Sequence, residues 1–258
     1  MISLRALTVR AADSKFDFIG LLQERLGGEL RDGDVIVVSS KFLAISEGRV
    51  VNLRTVRPGT RARELSLAYG VDPRICELVV RESDGVLGGI PGFLLTLKEG
   101  LLAPNAGIDK SNIKHGEVVL YPRRPEESAR RLRESLLLAP GVSVGVVVCD
   151  SRLSPTRRGT IGVAVAASGI EGILDLRGKK DLFGNVLKVT AQAIADDLSS
   201  AAELAMGESD EGAPIVLVRG LGKELLRRAE YPSRRFSIST SNCVYLRSLG
   251  FETELVGG

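Results

Sequence analysis

Three carboxylates in this sequence lie beside neutral oxygen donors and apolar runs: Asp109, Asp150 and Glu208. Asp109 belongs to Asn105-Ala-Gly-Ile-Asp-Lys-Ser-Asn112, which gathers two amides, a carboxylate, an amine and a hydroxyl around one glycine. Asp109 and Asn112 are spaced so that both side chains can face one ion or phosphate. Asp150-Ser151 follows the apolar run Val144–Cys149, and Glu208 lies in the acidic segment Gly207-Glu-Ser-Asp-Glu-Gly212. With Ser151 and Asn112 as further donors, this oxygen-only set suits Mg2+ or Mn2+, which binds one or two carboxylates plus substrate phosphates. Each part also has a plain structural reading. Gly/Asn clusters form Asx turns, an aspartate can cap the next element, and acidic loops are usually solvated.

Basic and hydroxyl groups add to the set. Ser39-Ser40-Lys41 stands at the carboxyl end of an apolar run, where α/β sheets commonly bind ligands. Arg157, Arg158, Lys179 and Lys180 sit near glycines and are candidates for an anionic substrate, although a solvated loop explains them equally well. The single histidine, His115, excludes a His-rich metal site. No GxGxxG or GxxxxGK[ST] loop is present, so a nucleotide would be held some other way. Without an evident nucleophile, phosphoryl transfer by positioning and charge neutralisation is the natural chemistry, and the residues reach a metal- and nucleotide-dependent enzyme.

Composition narrows the class. A net charge of +3 over 258 residues, with no aromatics interleaved among basic residues, does not indicate nucleic acid. Cys76, Cys149 and Cys243 are scattered and odd in number, which points to reduced thiols in a cytoplasm rather than to zinc or disulfides. No charged-then-apolar leader pattern opens the chain, and no apolar run approaches the ~20 residues that span a bilayer. The expectation is a soluble cytoplasmic protein with no membrane partner.

Several elements must position these groups. A strand is expected over residues 2–9 and a helix from Phe18 to Leu26, stopped by Gly27-Gly28. A buried strand follows at Val35–Val38, then a strand at Gly48–Leu53. Helices are expected at Thr60–Ala68 and from Asp72-Pro73 to Arg81, and a glycine-rich loop at Gly85–Gly92. A hairpin of Phe93–Leu97 and Leu101–Ala103 leads into the Asn105 segment, and Val118–Tyr121 is another strand. Pro125 opens a helix with an apolar face of Ala129, Leu132, Leu136 and Leu137 and a solvated face of Arg130, Arg131 and Arg133. The Pro140-Gly141 break is the best candidate boundary between an N-terminal part, 1–140, and a C-terminal part, 141–258, with a single domain as the alternative. Beyond it come an apolar strand ending at Cys149, a strand at Ile161–Ala167, a helix from a Thr190 cap to Met206, a strand at Pro214–Val218 and a helix at Val244–Leu249.

Taken together, these blocks resemble the coenzyme F420-0:L-glutamate ligases. The likeness rests on Asn105–Asn112, Asp150-Ser151, Arg158-Gly159, Gly178-Lys-Lys-Asp181-Leu-Phe-Gly184 and Met206–Gly212, in that order and spacing. Gly33-Asp34-Val35, Ser40-Lys41, Glu47-Gly48-Arg49 and Pro91–Leu95 add to it, so the likeness runs from about residue 17 to 220. The resemblance implies an α+β fold in two parts that intertwines with a second copy as a homodimer. It implies a ligase in which GTP phosphorylates the terminal carboxylate of F420-0 and L-glutamate displaces the phosphate, with later γ-linked additions. By resemblance, Asp109, Asp150, Ser151 and Glu208 hold two divalent ions, Mg2+ or Mn2+, and K+ is a further family feature. Ser40, Lys41 and Asn112 contact the nucleotide, as does the loop Gly207, Glu208, Ser209, Asp210, Glu211, Gly212, Ala213 and Pro214.

The chain departs from the family pattern in three places. Ile45 replaces the usual lysine, Asp150-Ser-Arg-Leu-Ser154 replaces the usual DTxGR, and Leu7–Asp13 lacks the proline-containing loop. A γ-glutamyl ligase with a different acceptor, or a nucleotide-binding relative without turnover, are the competing readings.

Overall fold

The computed structural model describes residues 1–10, 12–137, 142–231 and 233–250. Strand β1 (Ser3–Leu7) leads to helix α1 (Phe18–Leu26), which begins where the Asp17 carboxylate accepts the Gly20 N–H at 3.0 Å. Next, β2 (Val35–Ser39) passes directly into α2 (Ser40–Ser46). β3 (Val50–Asn52) precedes the paired helices α3 (Thr60–Tyr69) and α4 (Pro73–Glu82). Asp72 caps α4 by accepting the Arg74 N–H at 2.8 Å, with Pro73 in the first turn where no N–H is required.

A three-stranded antiparallel sheet follows, made of β4 (Gly85–Ile90), β5 (Phe93–Lys98) and β6 (Leu101–Pro104). The glycine-rich stretch expected as a loop is therefore strand β4. At Gly89 an added Cβ would come within 3.0 Å of the Tyr69 ring, so glycine serves close packing there. β7 (Glu117–Val119) pairs with β3, and α5 (Pro125–Leu136) follows.

The C-terminal half supplies β8 (Gly145–Leu153), β9 (Thr160–Ile170), β10 (Leu174–Asp175) and β11 (Ala191–Gln192). After these come α6 (Ile194–Met206), β12 (Ile215–Arg219), β13 (Leu226–Tyr231), α7 (Ser233–Phe236) and α8 (Val244–Ser248). The main sheet has six strands in the order β1-β12-β2-β8-β9-β13, so strands from both halves of the chain share it. Only β2 and β8 are parallel among the named pairs. The result is a mixed α and β architecture consistent with the α+β class. The Pro140-Gly141 break lies outside the described residues. No helix among them is long and apolar enough to cross a membrane.

The sheet carries a core on each face. Val144, Val146 and Val148 pack with α1 and α5 residues, whereas Val147 and Cys149 pack with Leu198, Ala202 and Met206 of α6. This is the alternation of a strand buried on both faces, which reads in sequence as a continuous apolar run.

Three further expectations are corrected. β8 does not end at Cys149 but continues to Leu153, because Asp150, Ser151, Arg152 and Leu153 stay paired to β9. α6 starts at Ile194 rather than at a Thr190 cap, since residues 191–192 pair with β10 first. Arg133 is buried, not solvated: its Nε donates to the Val144 carbonyl at 3.0 Å. That bond absorbs the charged end of a side chain whose stem crosses the core.

Candidate functional site

The site forms where β2 leaves the sheet. Ser39 lies opposite Cys149 in the parallel pair, and β2 then turns into α2 while β8 runs on with β9. On the other side of β2, the Ser39 N–H donates to the Pro214 carbonyl at 2.9 Å, so the 207–214 loop arrives at the same end. The carboxyl ends of parallel strands at such a departure leave a crevice. Here it is a cavity of about 1020 Å³.

The third wall is the segment after β6. Asn105, Ala106 and Gly107 all have positive φ (50°, 56° and 71°), a conformation that costs an alanine free energy and is bought by its surroundings. The Asn105 side chain accepts the Leu94 N–H at 2.9 Å, and Ala106 N donates to Thr96 Oγ1 at 3.1 Å. At Gly107 a Cβ would stand 2.8 Å from the Tyr121 ring. Asp109 is then locked by a two-way backbone bridge to Val119, at 3.0 and 2.9 Å. Asn105 is thus structural, and Asp109 is the residue presented to the cavity.

Most of the expected site residues converge. Lys41, Asp109, Asn112, Asp150, Ser151 and every residue from Gly207 to Pro214 line the cavity. Lys41 Nζ lies 2.6 Å from Asp109 Oδ2 and 2.6 Å from Ser111 Oγ. Burial opposes ionisation of Asp109, but the Lys41 charge and the bonds from Lys41 and Ser111 outweigh it and hold the carboxyl below its usual range. Ser40 is buried behind the wall, donating from Oγ to Asp150 Oδ1 at 2.7 Å. Asn112 Nδ2 donates to the Ser209 carbonyl at 2.6 Å, joining two of the walls. Ser151 Oγ donates to Glu208 Oε2 at 3.2 Å. Arg157, Arg158, Lys179 and Lys180 are exposed and stand away from the cavity lining.

Two lining residues escape a motif reading. Arg152 follows Asp150 by two along β8 and donates from Nε to Asp150 Oδ2 at 2.5 Å. Glu203, one turn from the end of α6, lies against Glu208 and Ser151, and its Oε1 is buried with no partner among the described residues. The available signals were strand period for Arg152 and helical spacing ahead of the acidic loop for Glu203.

Cys149 also lines the cavity, but burial and the Asp150 charge raise its thiol far above the usual range, which keeps it from serving as a thiolate. Among the described residues, no three His, Cys, Asp or Glu side chains are grouped closely enough to hold a metal ion unaided. Asp109 is compensated by Lys41 and Asp150 by Arg152, whereas Glu203 and Glu208 face each other and are hydrogen-bonded carboxyl to carboxyl. The orphaned Glu203 oxygen and this pair suit a hard cation whose coordination is completed by phosphate oxygens.

Burial, reinforced by the hydrogen bond and the charge of Glu208, pushes the Glu203 carboxyl up to about 8 from 4.5. The folded protein therefore keeps a proton that the unfolded chain has released, and stability falls as pH rises from 4.5 through about 8. Glu203→Gln is expected to flatten that decline, as read by thermal unfolding across the window without divalent ions. A decline as steep as the wild type's would show that Glu203 is not its source.

A mixed α and β protein with an acidic, oxygen-rich cavity at the end of its sheet has the make-up of an enzyme. Residues 6–220 match the model of the F420-0:gamma-glutamyl ligases. The chain is 41% identical over 214 residues to the coenzyme F420:L-glutamate ligase of Methanopyrus kandleri, covering 83% of this chain and 84% of that protein. It is 39% identical over 205 residues to that of Archaeoglobus fulgidus, covering 80% and 82%. Against that of Methanocaldococcus jannaschii the identity is 38% over 210 residues, covering 78% and 84%. The chain belongs to the F420-0:gamma-glutamyl ligase family, a family of ligases.

Proposed function

We propose that the protein is a GTP-dependent ligase that joins L-glutamate to coenzyme F420-0 and then adds γ-linked glutamates through an acyl phosphate. The observation that carries this reading is the convergence of Asp109, Asp150, Ser151 and Glu208 with the whole 207–214 loop on one cavity. A carboxylate is a poor electrophile, so amide formation needs prior activation. The γ-phosphoryl group passes to the F420-0 carboxylate, leaving GDP. The glutamate amine then attacks the acyl carbon and expels phosphate.

Asp109, Asp150, Ser151 and Glu208 are the residues that would hold two divalent ions, Mg2+ or Mn2+, with Glu203 beside them. When bound, the ions neutralise charge on the transferring phosphoryl group. K+ is a further expected ion. Lys41, on releasing Asp109, has the reach and charge for a phosphate oxygen, and Asn112 together with the 207–214 backbone shapes the nucleotide wall.

One incubation with F420-0, glutamate, GTP and Mn2+, read by mass, tests the reading. Products longer by glutamate units are expected. GTP-dependent thermal stabilisation without product would instead identify a binding protein without turnover.

Ile45 favours a second version of the same chemistry. It is 3% exposed, packs with Ala44 and Val119 and lines the cavity, so that wall is apolar where the resemblance implies a lysine. A different nucleotide or acceptor would follow, and parallel incubations with ATP and with other γ-carboxylate acceptors separate the two.

The proposed homodimer is supported by the hairpin between β10 and β11. Its tip exposes Leu182 and Phe183 almost completely. Exposed apolar clusters of this kind mark association surfaces.

A further inference from the structure

We propose that Arg152 is a positioning residue: it fixes the orientation of the Asp150 carboxylate and ties it to the opposite wall of the cavity. The inference rests on the reading of Asp150 as a cation-holding residue. Asp150 and Arg152 are two apart on β8, so strand geometry sets both side chains on one face of the sheet. Arg152 is 5% exposed. Its Nε donates to Asp150 Oδ2 at 2.5 Å, while its Nη1 donates to the Leu102 carbonyl at 2.7 Å. Its guanidinium carbon also lies 5.8 Å from the centre of the Tyr121 ring.

Leu102 belongs to β6, which runs through Pro104 straight into the segment carrying Asp109. One planar cation is therefore bonded at the same time to the Asp150 wall and to the base of the Asp109 wall. Ser40 holds the other oxygen of Asp150, so the two carboxylate oxygens have different fixed donors and the group cannot rotate freely. A lysine, donating from a single nitrogen, cannot reproduce this fork.

The arrangement is costly for stability. Arg152 Nη2 and the Oη of the neighbouring Tyr121 are both buried without a hydrogen-bond partner among the described residues. A buried ion pair with unmet donors stabilises a fold no better than apolar side chains of similar volume. What it does supply is orientation, which a carboxylate that must meet a cation and phosphate oxygens requires.

The test is thermal unfolding of the full chain against Mn2+ concentration, with steady-state ligation measured beside it. Arg152→Gln is expected to weaken apparent Mn2+ binding by about 10–100-fold, the range for partners that orient metal-binding groups. It should also lower kcat while leaving the KM for glutamate unchanged. Arg152→Lys keeps charge and approximate volume, so it guards against a folding failure, and a smaller but measurable weakening is expected. A purely structural role would lower the melting temperature without Mn2+ and leave the Mn2+ midpoint where it was. An unchanged midpoint in either folded variant overturns the inference. A wild-type protein whose unfolding ignores Mn2+ overturns the site reading beneath it.

Discussion

Asp150→Asn is expected to reduce ligation by on the order of 10³-fold, about 4 kcal/mol on the barrier, while the protein still folds. The substitution preserves shape and leaves an oxygen that can accept from Arg152 or Ser40, but removes the negative charge. It also leaves Arg152 without its counter-charge at a site 5% exposed, so some loss of stability accompanies it. Circular dichroism and a melting curve separate that loss from the loss of chemistry. Glu208→Gln is the cleaner companion, because Glu208 is exposed and the 3.2 Å bond it accepts from Ser151 can be kept by the amide oxygen. It should lose ligation with its melting temperature nearly unchanged. If folded Asp150→Asn ligates at the wild-type rate, the cation assignment is wrong.

The second large effect concerns assembly. The double variant Leu182→Asp, Phe183→Asp is expected to convert the proposed homodimer into a folded monomer, read as a halving of mass by light scattering. Leu182 and Phe183 are 101% and 91% exposed, and the tip that carries them is held rigid from within. Asp181 Oδ1 accepts the Phe183 and Asn185 N–H groups at 2.8 Å each, and Asn185 Nδ2 donates to Asp181 Oδ2 at 3.0 Å. A self-bonded Asx turn presenting two large apolar side chains outward loses little entropy when they are covered. Two unpaired charges there would have to be desolvated for the surfaces to meet, which opposes association. A wild-type protein that is already monomeric, or a variant mass that does not change, would remove the dimer from the proposal.

Lys179 and Lys180 are on this same exposed hairpin, and Arg157-Arg158 is on the loop before β9. Their position explains why basic residues beside glycines were ambiguous in the sequence. Composition marks an anion-friendly loop, but only the fold says whether that loop reaches the chain's own cavity.

Local order was legible wherever short-range physics decides it. The apolar spacing of α1, the Asp72-Pro73 start of α4 and the apolar runs of β2, β8 and β12 follow from nearest neighbours and periodicity. The Gly85–Gly92 stretch was not legible, because its glycines answer to Tyr69 and to partner strand β5, both outside the stretch itself. The end of β8 failed for the same reason: a polar Asp-Ser-Arg sequence looks like a turn until β9 is there to pair with it.

The sequence by itself determined which groups were available: oxygen donors, one histidine, no nucleotide loop of a common type, and blocks whose order resembles one ligase family. The tertiary structure alone decided how Asn105–Asn112, Asp150-Ser151 and the 207–214 loop meet, since the strand pairings that join them span more than a hundred residues. It also decided that Arg152 and Glu203 belong with them. Both are ordinary charges in the sequence. They become part of the site because burial deprives them of water and leaves the acids of the cavity as their nearest electrostatic neighbours.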